Sequence, residues 1–306
     1  MVFLRKRIKA PKENKEYISN VNNSGIFDNG YADSLPQTVT ADIVRKHFET
    51  KSDKTNRALI IGFDGARADS MLLILKGADE KVTGINSDSR YSGIKKIKEA
   101  GGLYLTYAGG DKGGYLETST AQGWSSILTG KWGKENGVIL HVPIRENVPT
   151  VLRELAEKGY SSSFNASWQD HFTITYTYSR EIEIAKINNL PLTFNRVEND
   201  EELHEKIKSE ITSGTKCIFA IYEAPDYNGH STKFGNGNYR YVKAVTDLDR
   251  CVYEQLSFIE SREEYKDENW LIIVTSDHGG HNYRHGMQIT EDRATFLACN
   301  KKLIEK

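Results

Sequence analysis

No stretch of this sequence approaches the roughly 20 consecutive apolar residues that a membrane-spanning helix requires. No block of Lys and Arg is dense enough to follow a polyanion. Basic and acidic residues number 41 and 42, a net charge of −1, and they are scattered along the chain. The first shortage argues against a membrane partner, the second against a nucleic-acid polymer. Cysteine is scarce too, limited to Cys217, Cys251 and Cys299. Each lies in an apolar run, the number is odd and no CxxC pair exists, a pattern of buried thiols in a reducing compartment. The basic start, Met1 to Ala10, holds only Val2–Leu4 as an apolar run, too short for a signal-peptide core. The chain as given reads as cytoplasmic, although a leader removed beforehand would leave the same text. No internal repeat is visible.

What is present is the texture of a globular α/β protein. The 306 residues, 27% charged and 38% hydrophobic, suit one large domain or two small ones. Residues 1–56 are polar and rich in Asn, Lys and Ser, with one helix expected near Thr40–Thr50; they read as an arm laid against the body. From Arg57 the pattern changes, and 57–306 reads as the main domain. Ala58–Asp64 is an apolar run ending in a carboxylate, suited to a strand buried on both faces. Further strands are expected at 102–107, 160–164, 216–222, 270–275 and 294–298. They alternate with helices near 91–100, 149–158 and 239–259, which predicts a mostly parallel sheet. The stretch from about 165 to 213 has weaker strand signals and reads as a small cap or insertion over the site.

Three of these strands run into aspartate: Asp64, Asp226 after a short Glu-Ala-Pro link, and Asp277. Ligands of open parallel sheets bind outside the carboxyl ends of the strands. Carboxylates gathered there repel one another and resist desolvation unless a cation neutralises them. Histidines accompany them. His230 follows Asp226 by four residues, His278 is adjacent to Asp277, and His285 lies a few residues beyond, with Gly279-Gly280 allowing the backbone to turn tightly. Three Asp and three His form a nitrogen–oxygen ligand set that suits Zn²⁺ and accepts Mn²⁺ or Fe²⁺. The hydroxyl-rich Thr118-Ser119-Thr120 leads into a short helix. Any of the three serves as a cap; beside a metal, a hydroxyl at a helix N-terminus is also placed to act as a nucleophile on an anion.

In order along the chain, Phe63-Asp64-Gly65-x-Arg67-x-Asp69, the Thr120–Gly130 segment, Glu223-x-Pro-Asp226-x-x-Gly-His230 and Ser276-Asp277-His278-Gly279-Gly280 with His285-Gly286 resemble motifs of the alkaline phosphatase superfamily. The similarity is greatest to its type I phosphodiesterase/nucleotide pyrophosphatase branch and spans roughly Ala58–Ala298. The resemblance implies an alkaline-phosphatase-like three-layer α/β sandwich with a central, mostly parallel sheet. It implies two divalent metal ions: one held by Asp64, Asp277, His278 and the Thr120 oxygen, the other by Asp226, His230 and His285, with His281 the second choice for the last position. It also implies that Thr120 attacks phosphorus in a small phosphate ester or diester and forms a phosphothreonine, with the paired metals clamping an in-line displacement.

The sequence also departs from that branch. Where nucleotide pyrophosphatases carry an asparagine that donates to the phosphoryl oxygen, this chain has His141. The family's Phe-Pro-Asn-His after the nucleophile is replaced by Ala121-Gln-Gly-Trp124. None of the three cysteines sits in the frame that sulfatases convert to formylglycine. Substrate contacts are expected from His141, Trp124, Tyr227 and Lys112, with Trp132 and Tyr283 as further stacking candidates. The same scaffold would also serve a phosphomutase or phosphotransferase, a phosphonate hydrolase, or a non-catalytic metal-binding relative. Nothing in the sequence specifies the oligomeric state.

Overall fold

The computed structural model describes residues 12–77, 89–111, 115–140, 142–173 and 176–304. Among these, eight strands form one sheet: β1 (Leu35–Pro36), β2 (Thr55–Phe63), β3 (Gly102–Tyr107), β4 (Ser162–Ala166), β5 (Leu192–Arg196), β6 (Cys217–Tyr222), β7 (Glu268–Thr275) and β8 (Ala294–Cys299). Their order across the sheet is β1-β3-β8-β7-β2-β6-β4-β5. Every neighbouring pair is parallel except the two that involve β8, which runs antiparallel to β3 and β7.

The helices are α1 (Lys15–Asn23), α2 (Val39–Glu49), α3 (Ser70–Lys76), α4 (Gly93–Ala100), α5 (Thr120–Thr129), α6 (Gly133–Asn136), α7 (Val151–Glu157), α8 (Ser179–Ile187), α9 (Asp200–Thr212), α10 (Ala224–Thr232), α11 (Tyr239–Ser261) and α12 (Thr290–Arg293). Local chemistry sets their ends. Asn199 caps α9 by accepting from the Glu201 and Glu202 N–H groups, and three acidic residues occupy its first turn, where the helix dipole favours them. Gly130, at φ 72°, ends α5 in the left-handed conformation.

Two cores arise because successive side chains of a strand point to opposite faces. Leu59, Ile61 and Phe63 of β2 pack with Met71 of α3, Ile94 of α4, Leu203 and Ile207 of α9, and Val245 and Val252 of α11. Ala58 and Ile60, on the other face, pack with Val44 of α2, Trp124 and Ile127 of α5 and Leu152 of α7. The result is the expected helix–sheet–helix sandwich. Residues 12–56 contribute to these layers: β1 extends the sheet edge, and Ala41, Val44 and Phe48 of α2 enter the second core.

The stretch around 165–213 corrects the reading of a cap over the site. Its α8–β5–α9 unit continues the sheet, with β5 pairing in parallel with β4 from Ser162↔Leu192 to Ala166↔Arg196. The strand was hard to read because Leu192-Thr-Phe-Asn-Arg196 lies at the edge and is only partly buried, so the apolar run that marks the inner strands is missing.

One glycine inside the sheet has a packing role. A Cβ on Gly62 would lie 2.3 Å from Cη2 of the Trp124 ring, which rests on β2 and is fully buried. Gly62→Ala therefore forces the ring off the strand, and urea unfolding should show a loss of about 1–3 kcal/mol. An unchanged midpoint would contradict this packing.

Candidate metal centre and nucleophile

The site follows from strand order. Adjacent strands β7, β2 and β6 run parallel, so their C-terminal ends reach the same edge, with Gly62 opposite Thr275 and Phe63 opposite Tyr222. Asp277, Asp64 and Asp226 leave from those three ends. Asp64 and Asp277 are fully buried, and the Asp226 side chain is largely so. Gly65, at φ 65°, permits the close approach: a Cβ there would meet Asp226 Oδ1 at 2.7 Å.

Each carboxylate of the innermost pair has one oxygen anchored and one oxygen unsatisfied. Asp64 Oδ2 accepts from the Trp124 indole N–H at 2.9 Å, and Asp277 Oδ1 accepts from the Gly65 N–H at 3.2 Å. Asp64 Oδ1, Asp277 Oδ2 and Asp226 Oδ1 are buried without a hydrogen-bond partner. Three orphaned carboxylate oxygens converging at one edge are costly unless a cation compensates them.

The imidazoles share one arrangement. Nδ1 of His278 contacts the Gly279 carbonyl at 2.8 Å, Nδ1 of His230 the Tyr283 carbonyl at 2.9 Å, and Nδ1 of His285 the Thr118 carbonyl at 2.9 Å. A carbonyl only accepts, so Nδ1 carries the proton in each ring and Nε2 presents a lone pair, the tautomer a metal-ligating histidine needs. His278 Nε2 lies 3.3 Å from Asp277 Oδ2 and 3.6 Å from Asp64 Oδ1. His230 Nε2 is 3.4 Å from Asp226 Oδ2, and His285 Nε2 is 3.8 Å from Asp226 Oδ1. The His278 and His285 rings stack at 3.9 Å. Ligand atoms thus gather in two overlapping sets, Asp64–Asp277–His278 and Asp226–His278–His285, with His230 beside the second. This donor set fits divalent cations.

Electrostatics point the same way. Burial, then the charge of Asp226, pushes the Asp64 carboxyl well above its ordinary range. Burial, then Asp64, does the same to Asp277. Burial and Glu223 raise Asp226 to about 7. His278 is held well below its usual value by burial and by His285. The protein alone favours protonated carboxyls and a neutral imidazole there, a state that a bound cation would reverse.

Thr120 opens α5. Its Oγ1 lies 3.4 Å from His278 Nε2. The first intrahelical bond of α5 is donated by Gly123 to Ser119 O, so the N–H groups of Thr120, Ala121 and Gln122 have no partner within the helix. Ser119 instead donates its hydroxyl to Gln122 Oε1, and Thr118 donates to the Met287 carbonyl at 3.1 Å. Of the three hydroxyls, Thr120 is the one beside the ligands.

Other expectations fare differently. Trp124 is fully buried, so no face of its ring is offered to a substrate; its role is to hold Asp64. Tyr227 and Tyr283 are exposed beside Asp226 and His230, whereas Trp132 is buried and stacks on Tyr107. His281, the second choice for a ligand, turns its Nδ1 to Asp292 at 2.7 Å. Lys112 and His141 lie outside the described residues. Sequence reasoning missed Asp200 and Glu223. Asp200, at the start of α9, accepts from the N–H groups of Glu223 and Ala224 and so fixes the turn that leads to Asp226. Glu223 accepts from the Trp168 N–H. Glu223 sits inside a recognised motif and was readable; Asp200 resembles any acidic first-turn residue.

A model of the family described as the Metalloenzyme superfamily matches residues 159–303. Among solved structures, murine ectonucleotide pyrophosphatase/phosphodiesterase 5 is similar with a TM-score of 0.51 at 15% identity, covering 74% of this chain and 57% of that one. Alkaline phosphatase from the Antarctic bacterium TAB5 gives 0.52 at 13%, covering 80% of this chain and 91% of that one. A putative sulfatase from Bacteroides fragilis gives 0.50 at 10%, covering 83% and 69%. No curated protein matches the sequence. The chain spans less than two thirds of the murine protein's length. At these identities the structural likeness is one of fold. The family model covers a little less than half of the chain, and what the solved structures share with it is the alkaline-phosphatase-like fold.

The raised carboxyls give the site a defined pH response. Their folded-state values exceed those of the unfolded chain, so their contribution to stability is complete below about pH 4 and falls as pH rises, that of Asp226 being lost through about 7. Metal must displace the same protons. The rise in melting temperature on adding Zn²⁺ should be small near pH 5 and grow toward pH ~8. A shift of constant size across that range would contradict the cluster.

Proposed function

We propose that this protein is a metal-dependent phosphoric ester hydrolase of the phosphodiesterase/nucleotide pyrophosphatase kind, with Thr120 as its nucleophile. The supporting observation is the Thr120 hydroxyl at the first turn of α5, beside His278 and the converging carboxylates. Asp64, Asp277 and His278 would hold one divalent cation; Asp226, His230 and His285 would hold the second, with zinc the ion this donor set suits best. Such ions supply charge neutralisation, polarise a phosphoryl oxygen and favour the ionised form of a ligating hydroxyl.

The chain's own groups account for the rest. The N–H groups at the start of α5 face the place where phosphoryl oxygens would sit, and the helix dipole favours negative charge there. Thr120 Oγ1 forms a bond to phosphorus as the bond to the leaving oxygen breaks, giving a phosphothreonine and an alcohol or phosphate product. Water then attacks the phosphothreonine, releasing phosphate or a monoester and restoring the hydroxyl. Neutral His278, kept so by its buried setting, leaves its Nε2 lone pair directed at this hydroxyl and the two inner carboxylates. The substrate class is a small-molecule phosphate ester or diester. Tyr227 and Tyr283, exposed at the rim, offer rings to its organic part.

No cysteine that could become formylglycine stands at the start of α5, which supports phosphoryl over sulfuryl substrates. Cys217 and Cys299 are buried in β6 and β8, and Cys251 lies on α11, all away from the start of α5. Thr120→Ala should retain metal content and melting temperature while turnover of bis(p-nitrophenyl) phosphate falls by at least about 10³-fold. Turnover at the wild-type rate would remove Thr120 from the chemistry.

A further inference from the structure

The loop between β7 and α12 carries His278 near one end and His285 near the other. Its backbone turns back at His281–Arg284, where each of these two residues donates its N–H to the other's carbonyl, at 2.9 and 3.1 Å. Asn282 adopts φ 49°, a conformation asparagine tolerates. The turn supports the histidine side of the site directly. Tyr283 O holds Nδ1 of His230, and Asn282 O accepts from the Phe234 N–H at 2.6 Å, beyond the end of α10.

One side chain secures this turn to the body. Asp292 of α12 is fully buried. Its Oδ1 accepts from His281 Nδ1 at 2.7 Å, and its Oδ2 accepts from the Met287 N–H at 2.9 Å, two residues past His285. The Asp292 carbonyl also accepts from the Gly279 N–H at 2.8 Å. Arg284 Nε approaches His281 Nε2 at 3.4 Å, so the second nitrogen of His281 faces a cation. This accounts for His281 as a support and leaves it no lone pair for a metal.

We propose that the Asp292–His281 pair is a positioning device for one half of the metal centre, setting His230 and His285 for the cation they share with Asp226. The inference rests on the two-cation reading above. The selectivity comes from where the other ligands are held. Asp64 is held by Trp124 and Asp277 by Gly65, neither of which touches Asp292. His278 is oriented by the Gly279 carbonyl, and Gly279 in turn is bonded to backbone rather than to the Asp292 carboxylate. Removing the carboxylate frees the Met287 end of the loop and the His281 turn together. His285 keeps its contact with the Thr118 carbonyl but loses the tether two residues beyond it, and the carbonyl that orients His230 loses the anchor of its turn, whereas the bonds that hold Asp64, Asp277 and His278 do not involve this carboxylate.

Equilibrium dialysis of the full chain against Zn²⁺, with bound metal counted, tests this. The wild type should bind two equivalents. Asp292→Ala should keep the affinity of the first and weaken the second by about 10- to 100-fold, the range seen when supports of metal ligands are removed. Should that variant not fold, His281→Ala, at a position less enclosed, should weaken the second equivalent by about tenfold and leave the first unchanged. A merely structural role would lower both affinities in step or neither, and either pattern would overturn the inference. A wild type that binds two equivalents with the variants indistinguishable from it overturns this inference alone. A wild type that binds fewer than two overturns the two-cation reading beneath it.

Discussion

Mutual repulsion among Asp64, Asp226 and Asp277 is the constraint on which the rest of this structure turns. Three adjacent strands deliver these carboxyls to one edge, where each retains a buried oxygen without a protein partner. Desolvating a carboxylate costs several kcal/mol even after relaxation. The protein alone answers by favouring protons on the carboxyls, as the raised value of Asp226 shows. A fold that concentrates this penalty at the end of its sheet, and surrounds it with three imidazoles of one tautomer, is organised to receive cations.

The supports are distributed unevenly, and this gives the centre two halves. Asp64 and Asp277 leave central strands within a single residue or two and are gripped by an indole N–H and a backbone N–H. That half belongs to the sheet. His230 and His285 sit on α10 and on a long loop, and their orientation depends on carbonyls of other loops. That half depends on loop conformation, which explains why a buried carboxylate on α12 is needed nearby. His278, with contacts to both ligand sets, joins them.

Much of this was legible in the chain because buried parallel strands write themselves as apolar runs, and the residue after each run is then placed at the functional edge. β2, β6 and β7 announce themselves in that way, and their terminal aspartates follow. The spacing of His230 from Asp226 and the adjacency of Asp277 and His278 are local facts that survive folding. What depends on distant partners was not legible. Trp124 looked like a ring for a substrate because its burial against Gly62 joins residues 62 positions apart. β5 is partly exposed at the sheet edge, so its pattern carried no apolar run. Asp200 and Asp292 act through backbone N–H groups and a histidine brought to them by folding, and an isolated acidic residue in a first helical turn gives no sign of that.

The most direct test of the account is anomalous X-ray diffraction at the zinc edge from crystals equilibrated with Zn²⁺. The account predicts two anomalous peaks at the C-terminal edge of β7, β2 and β6, one bounded by Asp64, Asp277 and His278 and the other by Asp226, His230 and His285, about 4 Å apart. No peak at that edge, or peaks confined to other surfaces while those carboxylates remain unligated, would contradict it.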